Sequence, residues 1–291
     1  MVPSFPEAAR IPRVLHQAYW PAANLPKELA ENVEWVRNSH PHWEHRFYDE
    51  TAILNFVREH YGQRMVRYFE RISPAYPVVK VDLFKYLLMY QAGGVYLDCK
   101  SRPTLPLDEV LGPDDRFILS HWRNGETEDF AGFGFHKELS HMPRGEYEQW
   151  HIVAAPGHPF LRAVIQRVLR NIDRYNPALN GAGQHGVLRL SGPIPYALAI
   201  EPLRARHPHR QISDATEIGL QYSIFGNPFT HRKQLGSHYS DRQDPIVEVG
   251  ALTKASAPLI HAAKAVKKAL RRARQTAKGA QPQKAETAEA A

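Results

Sequence analysis

Apolar residues recur along this chain in two alternating periods, and the alternation predicts the fold. Residues 14–20 form a β-rich run behind a proline, which reads as a buried strand. From Pro26 to about Ser39 the period lengthens to that of a helix, with Leu29, Val33 and Val36 on one face. Residues 43–49 read as a second strand. Asp49 stands ready to cap a following helix whose apolar positions are Ile53, Phe56 and Val57. Residues 78–90 are apolar almost all round, the mark of a helix inside a fold rather than on it. Gly93-Gly94 stops that helix, and Val95-Tyr96-Leu97 suits a core strand. Further on, residues 116–120 read as a strand and residues 121–134 as loop. From Pro159 to about Tyr175 runs a helix with Phe160, Leu161, Val164, Ile165, Val168, Leu169 and Ile172 as its stripe. Ser191-Gly192-Pro193 opens another helix, with Ser191 as the expected N-cap.

Strand–helix–strand–helix at this spacing predicts an α/β fold with a Rossmann-like sheet flanked by helices. Neither Gly-x-Gly-x-x-Gly nor Gly-x-x-x-x-Gly-Lys-Ser/Thr occurs, which removes the dinucleotide oxidoreductases and P-loop ATPases.

The charged exceptions within the apolar helix carry the chemistry. Asp82 and Lys85 are three apart and share a face, and Asp98 follows at the carboxyl end of the next strand, where open α/β sheets place their ligand chemistry. Buried charges are costly unless they pair or meet a ligand. A simple i,i+3 salt bridge for Asp82 and Lys85, and an Asx turn for Asp98, are the plainer alternatives.

Lys80-x-Asp82-x-x-Lys85-Tyr86 followed by Gly93-Gly94-Val95-Tyr96-Leu97-Asp98 resembles the sugar-nucleotide motif of glycosyltransferase family 32. The resemblance implies a GT-A-like domain over residues 10–250. It also implies retaining transfer of a hexose from a nucleotide-diphosphate sugar to a polysaccharide or glycolipid of lipopolysaccharide or capsule type. Carried over residue by residue, it implies Asp98, Asp82 and Lys85 as catalytic groups. His16, Gln17, Tyr86, Gly94, Tyr96, Lys100, Gly192 and Pro193 are then the expected donor-binding residues. A divalent cation, Mn²⁺ or Mg²⁺, is expected on Asp98 and His238, the latter in a segment resembling the family's C-terminal loop. Two positions depart from the family. Lys85 stands where Arg is usual, and Asp98-Cys99-Lys100 stands for Asp-x-Asp. Either Lys100 points away from a metal completed by the His238 loop, or it offsets diphosphate charge itself. Glu126, Glu128 and Asp129 are the acidic candidates for acceptor contacts.

Composition changes the picture in two places. One cysteine in 291 residues excludes an internal disulfide and suits a reducing compartment. The opening residues lack a basic start with an apolar run, and no stretch approaches the roughly 20 apolar residues of a membrane span, so a cytoplasmic protein is expected. The net charge of +7 is carried by residues 249–291, with nine Lys/Arg and two Glu, which leaves 28 of each sign in the body. A neutral body argues against nucleic acid as a partner. Within the expected tail, 251–291, residues 254–278 read as a basic amphipathic helix, with Leu259, Ala263, Val266 and Leu270 along its seam. An anionic inner-leaflet surface, weak phosphate contacts and a solvated appendage remain its alternatives. Rival functions are a sugar-nucleotide binder without catalysis and an adaptor acting through the tail.

Overall fold

A computed structural model describes residues 2–226, 241–250 and Val266. Its first half follows the predicted alternation: β1 (Val14–Ala18), α1 (Lys27–Ser39), β2 (Glu44–Tyr48), α2 (Glu50–Tyr61), α3 (Gln63–Arg71), α4 (Pro77–Gln91) and β3 (Gly94–Leu97). Then come β4 (Arg102–Pro103), α5 (Leu107–Val110), β5 (Phe117–Leu119), β6 (His151–Ala154) and α6 (Pro159–Asp173). Helices α7 (Pro177–Asn180), α8 (Gly183–Leu190) and α9 (Pro193–Ile200) precede the short strands β7 (Arg210–Gln211) and β8 (Leu220–Gln221).

Six strands form one mixed sheet in the order β2-β1-β3-β6-β5-β7, and β4 pairs with β8 in a separate ribbon. Strands β2, β1 and β3 are parallel, and β6 runs antiparallel to both neighbours. The α/β class with helices on the sheet is therefore the one expected.

The pleat sorts the core into two layers. Leu15, Val95, Leu97, Ile118 and Val153 face one side, with Val36, Trp43, Trp122 and Trp150. Tyr96, Phe117, Leu119 and Ile152 face the other, where α4, α6 and α9 pack. Helix α4 is buried along nearly its whole circumference, including Lys80, Asp82 and Lys85. The apolar character of residues 78–90 thus reflects a helix with no solvent face. Val2 is buried in the same layer, and Ala8 N–H donates to Pro156 O.

The glycine pair ending α4 is required on steric grounds. Gly93 and Gly94 have φ of +63° and +104°, and a Cβ there would meet Pro156 Cδ at 2.4 Å and Val14 O at 2.5 Å respectively. Only glycine lets the chain leave α4 and enter β3 beside β1. Asp49 caps α2 as expected, its Oδ1 accepting from Ala52 N–H at 2.7 Å.

Among the described residues, no helix is long and apolar enough to cross a membrane. His238 and the amphipathic stretch 254–278, apart from Val266, lie outside the described residues.

Candidate functional site

A cleft of about 680 Å³ opens where the end of β3, the Val78–Asp82–Lys85 face of α4 and the start of α9 converge. Its floor is a row of alternating charges. Lys85 Nζ lies 3.0 Å from Asp82 Oδ1 and 3.9 Å from Asp98 Oδ1, and Lys100 Nζ lies 2.6 Å from Asp98 Oδ2. The Lys85 and Asp82 side chains are 3% and 8% exposed, so this pair belongs to the interior and not to the weak surface class.

Sequence spacing explains half of this arrangement. The i,i+3 relation on α4 puts Asp82 and Lys85 on one face, and the turn after β3, closed by Ser101 N–H to Asp98 O at 2.8 Å, presents Asp98 beside them. The other half is tertiary. Asp82 Oδ2 accepts from Ser191 Oγ at 2.8 Å and Oδ1 from Gln149 Nε2 at 3.0 Å. Gln149 Nε2 also donates to Tyr86 Oη at 2.5 Å, and Tyr86 Oη donates to Ser191 O at 2.8 Å. Full burial and the Asp82 charge push the Tyr86 phenol well above its ordinary range, so it remains a neutral donor.

The expected donor-binding residues divide into two sets. Tyr96, Lys100, Gly192 and Pro193 line the cleft with the three charged catalytic candidates. His16, Gln17 and Gly94 do not. His16 is fully buried, bonded through Nδ1 to Tyr48 Oη and through Nε2 to Gly93 O, and burial lowers its pKa to about 4. Gln17 is likewise buried, donating to Asp98 O at 3.5 Å and accepting from His45 Nε2. Gly94 is the steric contact with Val14 described above. Tyr86 sits one layer behind the cleft, acting through Gln149 and Ser191. Ser191 is not an N-cap either. Gly192 occupies that position with no side-chain cap, because the Ser191 hydroxyl is committed to Asp82.

The acceptor-side expectation also moves. Glu128 accepts from Gly125 N–H and Asp129 pairs with Arg123, so both serve their own loop, and none of Glu126, Glu128 and Asp129 lines the cleft. One wall of the cleft carries Trp122, Phe133, His136, Glu146 and Gln149, with Tyr222 and Trp150 beside them. Glu146 holds two partners, His136 Nε2 at 2.6 Å and Trp122 Nε1 at 2.8 Å. Trp122 and Tyr222 meet edge to face with centroids 4.9 Å apart. Aromatic faces beside a carboxylate and an amide suit a sugar ring, whose C–H face stacks while its hydroxyls hydrogen-bond. Arg242 adds a further cation to the rim. Gln149, Ser191, Glu146, His136 and Arg242 have no local signature, since each acquires its role from a partner distant in sequence.

Among the described residues, the groups around Asp98 do not fit the expected metal. One oxygen of Asp98 is taken by the Lys100 ammonium and the other faces Lys85. Among the described residues no cluster of three or more His, Cys, Asp or Glu could hold an ion. Cys99 adds no ligand, because burial pushes its thiol up and its Sγ donates to Ala18 O. Asp98, the first expected ligand of the cation, is here held in an ion pair with Lys100, and the other expected ligand, His238, lies outside the described residues.

Comparison with known proteins agrees with the motif. Residues 26–118 match the family described as "Glycosyltransferase sugar-binding region containing DXD motif". The chain is 29% identical over 174 residues to inositol phosphoceramide mannosyltransferase 1 of Schizosaccharomyces pombe, covering 58% of this chain and 46% of that protein. It is 27% identical over 175 residues to the initiation-specific alpha-1,6-mannosyltransferase of the same yeast, covering 56% and 41%. The chain therefore spans about half the length, or less, of these curated relatives. Among solved structures, the PaToxG glycosyltransferase superposes with a TM-score of 0.46 at 12% identity, covering 85% of this chain and 84% of that one. Residues 26–118, which hold the Asp82–Lys85–Asp98 row, are thus similar to the sugar-binding region of the DXD-motif glycosyltransferases.

Proposed function

We propose that the protein transfers a hexose from a nucleotide-diphosphate sugar to a hydroxyl of a glycolipid or polysaccharide, with retention of anomeric configuration. The observation that carries this is the row Asp82–Lys85–Asp98 at the floor of a cleft with an aromatic, carboxylate-bearing wall. Carboxylates hold sugar hydroxyls, cations meet the diphosphate, and the wall receives the acceptor. In the transfer the anomeric C–O bond breaks with its electron pair passing to the phosphate oxygen. The acceptor oxygen bonds to the anomeric carbon, and its proton passes to the departing diphosphate. Asp82, gripped by Lys85, Gln149 and Ser191, is a fixed acceptor of hydrogen bonds from the donor sugar.

Mannose is the first donor sugar to test and a glycolipid the first acceptor, because relatives are named as inositol phosphoceramide mannosyltransferases. Lipopolysaccharide or capsule is the bacterial form of the same acceptor chemistry. The basic stretch 254–278 would then hold the enzyme at an anionic membrane surface. A second reading, a sugar-nucleotide binder without turnover, is favoured by one observation, the Lys100–Asp98 pair.

Full-length protein would be screened by thermal shift against UDP-, GDP- and ADP-sugars, and nucleotide release followed for each stabilising donor. A donor that raises Tm and is hydrolysed slowly, and faster with a glycolipid acceptor, supports transfer. Stabilisation without any nucleotide release supports the silent binder, and no stabilisation by any nucleotide sugar sinks both.

A further inference from the structure

We propose that Lys100, supported by Lys85, does the work of the divalent cation at the leaving diphosphate, so that this protein turns over without added metal. The inference rests on the reading of the cleft as a nucleotide-sugar site and says how that site manages the charge.

The argument begins from where Lys100 is held. The turn at residues 98–101 is pinned by four hydrogen bonds to three residues: Asp98 N–H donates to Trp150 O, Ile224 N–H donates to Lys100 O, and Asn32 Nδ2 donates to both Cys99 O and Ser101 O. From that fixed turn the Lys100 side chain folds back, so that its ammonium reaches Asp98 Oδ2 at 2.6 Å and lies 4.6 Å from the centroid of the Tyr222 ring. At 14% exposure it is not a solvated lysine that meets a carboxylate by chance. The ammonium therefore occupies the carboxylate oxygen that would bind a hard cation, and it does so in the cleft.

Charge points the same way. Asp82, Lys85, Asp98 and Lys100 make two negative and two positive groups in one row. A dication placed on Asp98 would meet the ammonium of Lys100 across a shared oxygen, and each would weaken the other's hold. Asp-x-Asp recruits a cation by excess negative charge, whereas Asp98-Cys99-Lys100 supplies its own. Lysine suits the task, because its ammonium is a compact point charge of the kind used elsewhere against phosphate. Lys85 at 3.9 Å from the other Asp98 oxygen and Arg242 on the rim give the departing diphosphate further positive charge. Lys100 stabilises the developing negative charge and exchanges no proton in the step.

The test uses the full chain with GDP and UDP as probes, titrated by calorimetry with EDTA and with Mn²⁺, together with nucleotide release from the donor found by thermal shift. Expected are equal diphosphate affinity and equal turnover in EDTA and in Mn²⁺. Lys100→Ala should bind diphosphate about tenfold more weakly and turn over about 100-fold more slowly, with no rescue by Mn²⁺. Lys100→Asp, which rebuilds the acid pair, should lose activity in EDTA and regain part of it in Mn²⁺, and this variant guards against a trivial folding defect in the first. Wild-type turnover abolished by EDTA and restored by Mn²⁺ overturns the proposal, as does wild-type-like turnover of Lys100→Ala. Metal-independent diphosphate binding that depends on Lys100, with no transfer to any acceptor, upholds the charge role and rejects the transferase reading. Absence of diphosphate binding under every condition rejects both.

Discussion

Ser191 Oγ donates to Asp82 Oδ2 at 2.8 Å across 109 residues of chain, and this bond ties the buried helix α4 to the corner where α8 becomes α9. The same corner supplies Gly192 and Pro193 to the cleft. A side chain whose position suits a helix cap is thus used to aim a carboxylate, and the helix start is left to Gly192.

Ser191→Ala removes one of the three partners of Asp82 without removing bulk from the cleft. Stability should fall by about 1–2 kcal/mol, the cost of leaving a buried acceptor short of one bond. Turnover should fall by more than donor affinity does, since the bond positions Asp82. Urea unfolding and separate measurement of kcat and donor KM check this, and an unchanged kcat would show that the bond is only structural.

Asp82→Asn leaves the Lys85 ammonium, 3% exposed, with Asp98 at 3.9 Å as its one carboxylate partner among the described residues. Breaking one side of a buried pair costs about 3–5 kcal/mol, and the lower end is expected because Asp98 remains. Nucleotide release should become undetectable even where the variant is folded, as judged by circular dichroism.

Gly94→Ala separates a steric role from a donor-binding one. A Cβ 2.5 Å from Val14 O, on a backbone with φ of +104°, strains the β1–β3 pairing. Loss of soluble protein, or a stability loss above about 2 kcal/mol, is the expected result. A stable variant that merely binds donor poorly would restore Gly94 to the ligand site.

Glu146→Gln keeps the volume of the cleft wall and removes the charge between His136 and Trp122. Acceptor KM should rise about tenfold or more while hydrolysis of the donor in water persists. Equal loss of both would place Glu146 on the donor side instead.

Acid should unfold this protein from about pH 6 downward. Burial lowers His16, His45, His121 and His158 to about 4 and His151 to about 3, against 6.5 when unfolded. Between those values the unfolded chain binds protons that the folded one refuses, so stability rises with pH up to about 6.5 and is lost as pH falls toward 4. Glu148, pushed up to about 7 by burial, works against this between 4.5 and 7, but it is one group against five. A net loss of about 4 kcal/mol or more from pH 7 to pH 5 is expected in urea titrations. A flat profile would mean that these imidazoles are not buried.

Local chemistry made much of the fold legible. Period-2 and period-3.6 patterns, the Asp49 cap, the Gly93-Gly94 stop and the i,i+3 spacing of Asp82 and Lys85 all depend on residues within a few positions of one another. Position within the packed whole was not legible in that way. His16 and Gln17 lie on the strand expected at the donor site, yet the pleat and the pairing of β1 with β2 and β3 turn them to Tyr48, Gly93 and Asp98. Nothing near Gln149 or Glu146 in the chain announces a site, because their partners are Asp82, Tyr86, His136 and Trp122.

The sequence by itself determined the α/β class, the buried helix and the three charged residues at its heart, because periodicity and short-range spacing are properties of consecutive residues. Tertiary structure alone decided where the Lys100 ammonium lies. Two residues from Asp98, its flexible stem could equally have reached solvent. The packed turn and the Tyr222 ring bring its ammonium back onto the carboxylate, so that Asp98 meets a cation inside the cleft.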